Sequence, residues 1–201
     1  MSVLEQILKR PKPTYAILDL FPSQGDWTEE EYLTIDTNHL VELSDGCLEV
    51  KEMPTDFHQL VLGRLFAAML LFVTASKLGY VRFSPLRVRL WPGKFREPDL
   101  IFMAVAHKNR LDEQYWGVPD LVAEVISESD PDLDRVVKMG EYAQAGIPEY
   151  WLVDPAQKTI EIFLLRGSEY QLSQALREGD RLTSTQLPGF EMSVTELFAE
   201  E

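Results

Sequence analysis

The sequence is poor in several features that would decide its class at once. Cys47 is its single cysteine in 201 residues, which excludes an internal disulfide and a cysteine-built zinc site. No run of eighteen apolar residues occurs; the longest apolar block, Leu65 to Val73, is too short, so no membrane span is expected. The opening MSVLEQILKRPKP lacks the apolar core of a secretory signal, and a cytoplasmic protein is expected. Neither a repeat nor a low-complexity tract is present. No glycine-rich phosphate loop follows a strand, so a nucleotide-binding Rossmann or P-loop reading has no support. No Ser-His-Asp pattern is visible, and Ser127 lacks the context of a nucleophile elbow.

Positive charge is scarce as well. Nineteen basic residues face 33 acidic ones, a net charge of −14. Taken alone, that argues against a nucleic-acid partner, because binding phosphates needs local positive charge. The distribution is uneven. Residues 1–56 carry −8, residues 57–111 carry +7 and residues 112–201 carry −13. The middle stripe includes Arg82, Arg87, Arg89, Lys94 and Arg96, and its only acids are Glu97 and Asp99. These cations either form a track for phosphates or pair with acids of the flanking segments.

What is present suits one globular domain. Hydrophobic residues make up 45% of the chain, enough for one sizeable core. Residues 1–27 read as an N-terminal arm and residues 28–201 as a single domain. Thr28 and Glu31 have the spacing of a capping box at a short helix. Leu40 to Met53 reads as two strands about an Asp45-Gly46 turn. Pro54 to Leu78 is a helix, with Leu60, Val61, Leu65, Ala68, Met69 and Phe72 at helical spacing and Gly79 ending the run. Tyr80 to Leu90 reads as one strand broken near Pro85. Strands follow at Pro98–Ala104 and Leu121–Ser127. A helix over Asp132–Ala145 starts from Ser129-Asp130-Pro131 and stops at Gly146. Its wheel puts Val136, Met139 and Ala143 on the apolar face, with Lys138 and Tyr142 at the margin. Further strands are expected at Tyr150–Asp154, Thr159–Leu165, Tyr170–Leu172 and Arg181–Thr183, with a last helical turn capped by Ser193. This order suits an α/β fold on one central mixed sheet flanked by helices.

Asp99 and Glu124 stand out, because each lies in an otherwise apolar strand. A carboxylate there is costly unless it is paired, protonated or metal-bound. Adjacent strands lie about 4.8 Å apart, so two such groups at matching heights can share one hard cation. Oxygen ligands with open water positions suit Mg²⁺ or Mn²⁺. The alternative for each is a strand-end residue reaching solvent. Lys138 either points at this carboxylate end or forms an exposed i,i+4 pair with Asp134. His58, in the first turn of the long helix, is either solvated or set beside the site. Glu49 is a third carboxylate if its strand neighbours Asp99, and otherwise an outward residue. His39 and His107 are assigned nothing.

The string from Pro119, PDLVAEVISESDPDLDRVVKMGEYAQAGIPEYWLVDP, resembles the Uma family of restriction endonucleases, part of the PD-(D/E)xK nuclease superfamily. Asp45-Gly46 with Glu49, Met53-Pro54, His58 and Glu97-Pro98-Asp99-Leu100 support the resemblance, which covers roughly residues 28–165. It implies a restriction-endonuclease-like fold and a Mg²⁺-dependent endonuclease acting on DNA. Asp99 matches the motif's Asp and Glu124 its second acid. Ile126 stands where the simple pattern has lysine, and Lys138 takes the place of a lysine supplied by the next helix. Glu49, His58 and Asp134 fall on further family positions. The resemblance thus implies that Asp99 and Glu124 hold Mg²⁺, with Mn²⁺ as a substitute, that Lys138 assists water attack, and that the arginine and lysine stripe faces the DNA backbone. A homodimer is the simplest way to cut both strands. Two alternatives stay open: a nuclease fold that binds without cutting, favoured by the acidic balance, and a hydrolase of a smaller phosphoester.

Overall fold

The computed structural model describes residues 21–37, 39–127 and 132–199. The proposed arm up to residue 20 and the Ser129-Asp130-Pro131 start signal lie outside the described residues. A six-stranded sheet forms the centre. Its strands are β3 (Gly79–Phe83), β6 (Leu100–Ala104), β7 (Leu121–Val125), β8 (Glu149–Asp154), β9 (Thr159–Arg166) and β10 (Glu169–Leu176), in the order β10-β9-β8-β7-β6-β3. Only β7 and β8 run parallel; the other neighbours are antiparallel, so the sheet is mixed.

Both faces of this sheet are covered, which is why its middle strands read as continuous apolar runs rather than alternating ones. Leu100 and Phe102 of β6 join one core with Val61, Leu65, Met69 and Val73 of helix α2 (Asp56–Ser76). Ile101 and Met103 join the opposite core with Tyr142 of helix α3 (Met139–Ala145) and Tyr150. On β7, Val122 lies on the α3 side and Ala123 on the α2 side. Strand alternation therefore directs Glu124 to the α3 side.

Helix α2 keeps its expected place. Thr55 accepts from the His58 N–H at its start, and Lys77 rather than Gly79 closes it in the left-handed conformation. With a hydropathy of 1.7 it is long and apolar enough to cross a membrane, contrary to the expectation that no segment is. Here one face of it packs onto the central sheet, which is the position of a core helix.

A second, antiparallel sheet has the order β2-β1-β5-β4, from β1 (Val41–Ser44), β2 (Cys47–Val50), β4 (Val88–Trp91) and β5 (Lys94–Arg96). The expected hairpin forms here, with Asp45 and Gly46 both at positive φ. The Thr28–Glu31 capping box is also present, at α1 (Glu29–Leu33). Tyr32 of α1 packs with Val41, Leu43 and Phe95 in a small core of its own. The strand expected over Tyr80–Leu90 is two strands in two different sheets, parted at Ser84 to Arg87. Strands β11 (Arg181–Thr183) and β12 (Glu191–Ser193) pair at the end, before the turn α4 (Val194–Leu197) capped by Ser193.

The helix expected from Asp132 differs most. Leu133–Lys138 is a π-helical turn that runs into α3. Such turns are rare and gather at functional sites. Asp134 and Lys138 point inward, while Val136 and Val137 are exposed. Val136 is thus not on the apolar face, because the wider turn rotates the charged pair into the position a regular wheel gives it. Arg135 ties this turn to the sheet through Asp154, at 3.2 Å, and Glu161.

Candidate functional site

The start of β6 and the end of β7 place two carboxylates side by side. The Val125 N–H donates to Asp99 Oδ2 at 2.8 Å, and the Asp99 N–H approaches Glu124 Oε2 at 3.4 Å. Lys138 Nζ lies 3.2 Å from the same Glu124 oxygen and 2.7 Å from Asp134 Oδ1. Tyr142 donates its hydroxyl to the other oxygen, Glu124 Oε1, at 2.5 Å. His58 arrives from the first turn of α2, with Nε2 3.3 Å from Asp99 Oδ2. The sequence-level readings of Asp99, Glu124, Lys138 and His58 as one group thus correspond to one cluster in space. Neither a solvated His58 nor an exposed Asp134–Lys138 pair describes it, since Lys138 is only 1% exposed.

The charges in this cluster answer to burial first. Burial pushes the Glu124 carboxyl up to about 7, against the pull of Lys138 and Lys51. Burial acts on Asp99 in the same direction, yet the His58 hydrogen bond and the charges of Lys51, His58 and Lys138 hold it below the usual carboxylate range. Burial disfavours a charged Lys138, but Glu124, Glu42, Asp134 and Asp99 outweigh that and keep it protonated. Burial thus pushes both carboxyls the same way, and the nearby cations and the His58 hydrogen bond set them apart by holding Asp99 down.

The donor chemistry fits a hard divalent cation. Asp99 and Glu124 offer carboxylate oxygens on neighbouring strands, and each raises the cost of charge on the other unless a cation lies near. Among the described residues no group of three His, Cys, Asp or Glu side chains forms a ready-made cage. A cation that keeps several waters, as Mg²⁺ does, matches two carboxylates better than one that needs a full protein shell.

Glu49 does not join the pair. It lies on the edge strand β2 and bonds Arg96, with its side chain 42% exposed. Its cross-strand partner Glu42 is the buried acid on that face. Glu42 accepts from Arg96 at 2.7 Å and from the Glu97 N–H at 2.8 Å, and its charge reaches Lys138.

The basic stripe is mostly an internal framework, a correction to its reading as a phosphate track. Arg96 is 1% exposed and is gripped by Glu42, Glu49 and both oxygens of Glu141, at 2.7 and 2.8 Å. Lys94 is buried against Glu141, at 2.5 Å, and the Ser44 hydroxyl. Arg89 pairs with Glu29 at 2.9 Å. Arg87 lies over the Tyr32 ring, bonds the Ile35 carbonyl and approaches Glu97 at 3.8 Å. Only Arg82, stacked over Trp116, is exposed. These cations stabilise the acid-rich flanks, which is why the stripe and its flanks have opposite charges.

Glu141 carries a pH-dependent share of this framework. Burial opposes its charge, but Arg96 and then Lys94 hold it below the ordinary carboxyl range. A carboxyl lowered on folding contributes stability that is complete above its unfolded value and is lost as pH falls through its folded one. Glu141→Gln is therefore expected to cost about 2 kcal/mol at pH 7. The difference from wild type should shrink as the pH is taken below about 4.3, the unfolded carboxyl value. Urea midpoints at pH 7 and pH 4 measure this, and an equal loss at both would count against an ionised Glu141.

Four residues of the cluster and its framework escape a motif reading: Glu42, Tyr142, Glu141 and Lys51. Tyr142 could be found from its spacing, one turn after Lys138. Glu42 could be found only by pairing it with Glu49 across the hairpin. Lys51, just past β2, donates Nζ to the Glu97 carbonyl at 3.2 Å and lies 4.0 Å from Glu42 Oε1. No local pattern signals it, because its partners are distant in the chain.

Comparison with known proteins bears on this arrangement. Residues 29–195 match the model of the Uma2 family, described as “Putative restriction endonuclease”. Among solved structures the chain is similar to one from Anabaena variabilis ATCC 29413, described as a “putative nuclease belonging to DUF820”. The two share 17% sequence identity at a TM-score of 0.71, over 86% of this chain and 97% of the other. That likeness supports the restriction-endonuclease-like architecture. No curated protein matches the chain.

Proposed function

Since the chain belongs to the Uma2 family, described as “Putative restriction endonuclease”, we propose that it hydrolyses DNA phosphodiester bonds at the Asp99–Glu124–Lys138 cluster. The observation that carries this reading is the meeting of two buried carboxylates from adjacent strands with a buried lysine from the following helix. Asp99 and Glu124 would hold Mg²⁺, with Mn²⁺ as a substitute. Bound there, the cation supplies Lewis-acid stabilisation of the charge that grows on the phosphate during hydrolysis.

The chain's own groups set the geometry. The Val125 N–H and His58 orient Asp99. Tyr142 and Lys138 each fix one oxygen of Glu124. An ammonium has three hydrogens. The Lys138 ammonium lies 3.2 Å from Glu124 and 2.7 Å from Asp134, and one of its hydrogens is assigned to orienting the attacking water. Glu49 has no direct part in this scheme; it helps hold Arg96.

The test is cleavage of supercoiled plasmid and of single-stranded DNA at low salt, with Mg²⁺, with Mn²⁺ and with chelator. Cutting is expected only with metal, and it is expected to disappear in Asp99→Ala and Glu124→Ala. Cutting that persists in chelator would sink the metal-dependent mechanism. No cutting together with no Mn²⁺ binding by calorimetry would move the reading to a fold that binds without cleaving, whereas no cutting with clear Mn²⁺ binding would mean that the substrate, not the site, is wrong.

A further inference from the structure

We infer that Lys51 is the cation that receives a non-bridging oxygen of the DNA phosphate at this site, a role that no motif position gives it. The inference rests on the nuclease reading above and adds to it the group that meets the substrate's charge.

The argument begins from electrostatic need. A phosphodiester brings a negative charge toward Asp99 and Glu124, so a cation that faces the substrate has to offset the repulsion. Apart from Arg82, which is exposed and set over Trp116, the prominent cations of the region are already engaged inside the protein. Lys138 and Arg96 are each 1% exposed and held by carboxylates. Lys94 is buried against Glu141.

Lys51 differs in three respects. Its side chain is 16% exposed. Among the described residues its nearest carboxylate oxygen, Glu42 Oε1, is a loose 4.0 Å away, and its hydrogen bond goes to a neutral carbonyl. That carbonyl belongs to Glu97, two residues before Asp99, so the ammonium is fixed to the backbone that delivers the site aspartate. Its charge is felt at Asp99, Glu124 and His58 together. The backbone is steadied too, since the Lys51 N–H donates to the Leu40 carbonyl at 2.9 Å.

An ammonium with one donor on a carbonyl keeps others for an incoming oxygen, and lysine serves phosphates as a compact point charge. Lys51 exchanges no proton and forms no covalent bond in this role. It reaches the site from the smaller sheet, whereas Asp99, Glu124 and Lys138 belong to the central sheet and its crossover helix.

The experiment compares wild type with Lys51→Met and Lys51→Arg. One measurement is the binding of a fluorescent duplex oligonucleotide over a salt series, with chelator and with Ca²⁺. The other is kcat and KM for cleavage with Mg²⁺. Lys51→Met is expected to reduce the slope of log affinity against log salt by about 0.7–0.9, the amount for one phosphate contact. It should also raise KM severalfold more than it lowers kcat, and Lys51→Arg should restore both. Wild-type slope and KM in Lys51→Met would overturn the assignment and leave the nuclease reading standing. So would a fall in kcat alone, which would show Lys51 acting only through Asp99. If wild type cuts without measurable equilibrium binding, the KM comparison decides by itself. If wild type neither binds nor cuts DNA, the assignment falls together with the reading on which it rests.

Discussion

Lys138→Met is expected to cost about 3–5 kcal/mol of folding stability, because removing one partner of a buried ion pair leaves the other charge uncompensated. Against a typical domain stability of about 5–15 kcal/mol, that is a large share. The reason lies in what remains behind. Glu124 and Asp134 both lose the ammonium at 3.2 and 2.7 Å, and both are buried. Cleavage should be lost as well, since Glu124 would hold a proton and its orienting partner would be gone. Adding Glu124→Gln and Asp134→Asn to Lys138→Met should recover much of the stability and none of the cutting, since contacting groups do not behave additively. Urea unfolding and plasmid cleavage on the same preparations separate the two effects. A wild-type urea midpoint in Lys138→Met would show that the ammonium does not neutralise these carboxylates.

Arg96→Met is expected to cost about 3 kcal/mol or more for the same physical reason, at a different place. Arg96 lies on β5, and its partners come from β1, β2 and α3. Methionine keeps the apolar stem but leaves Glu42 and Glu141 without their shared cation. Glu49→Gln serves as the contrast, because Glu49 is partly solvated and such pairs contribute about 0–1 kcal/mol. Thermal and urea unfolding of both variants tests this. Equal losses would mean that exposure does not rank the three carboxylates around Arg96.

Much of this architecture was legible because local chemistry and tertiary structure agree. The Asp45-Gly46 turn, the Thr28 cap, the Gly146 stop and the apolar face of α2 each declare themselves within a few residues. Asp99 and Glu124 declared themselves by conflict, as acids inside apolar strands. The family resemblance joined them to Lys138, which helical spacing alone left as a surface pair. What failed depended on long-range placement. The stripe of Arg87, Arg89, Lys94 and Arg96 looks like an electrostatic surface until folding brings Glu29, Glu42, Glu97 and Glu141 against it. Val136 looked buried because a regular helical period was applied to a π-helical turn. Glu49 and its cross-strand partner Glu42 stand on one face of the same hairpin, and only the order of strands tells that β1 is covered and β2 lies at the edge.

The path of the chain around Asp99 has a consequence for how fold and activity can be separated. Strands β3 and β6 are neighbours, with Phe83 opposite Leu100, and the Ser84 N–H donates to the Asp99 carbonyl at 3.0 Å. Everything between them, including β4 and β5, is one excursion from a hairpin whose neck is Ser84 and Asp99. A shortened chain that joined Phe83 to Leu100 through a tight turn would keep the whole strand order of the central sheet. It would delete the aspartate, the Glu97 carbonyl that anchors Lys51, and two of the four strands of the second sheet in one step. The excursion therefore carries the aspartate and the anchor of Lys51, while Glu124, His58 and Lys138 stay with the central sheet and its helices, and a descendant that lost the excursion would retain the central strand order without the aspartate on which the proposed reaction depends.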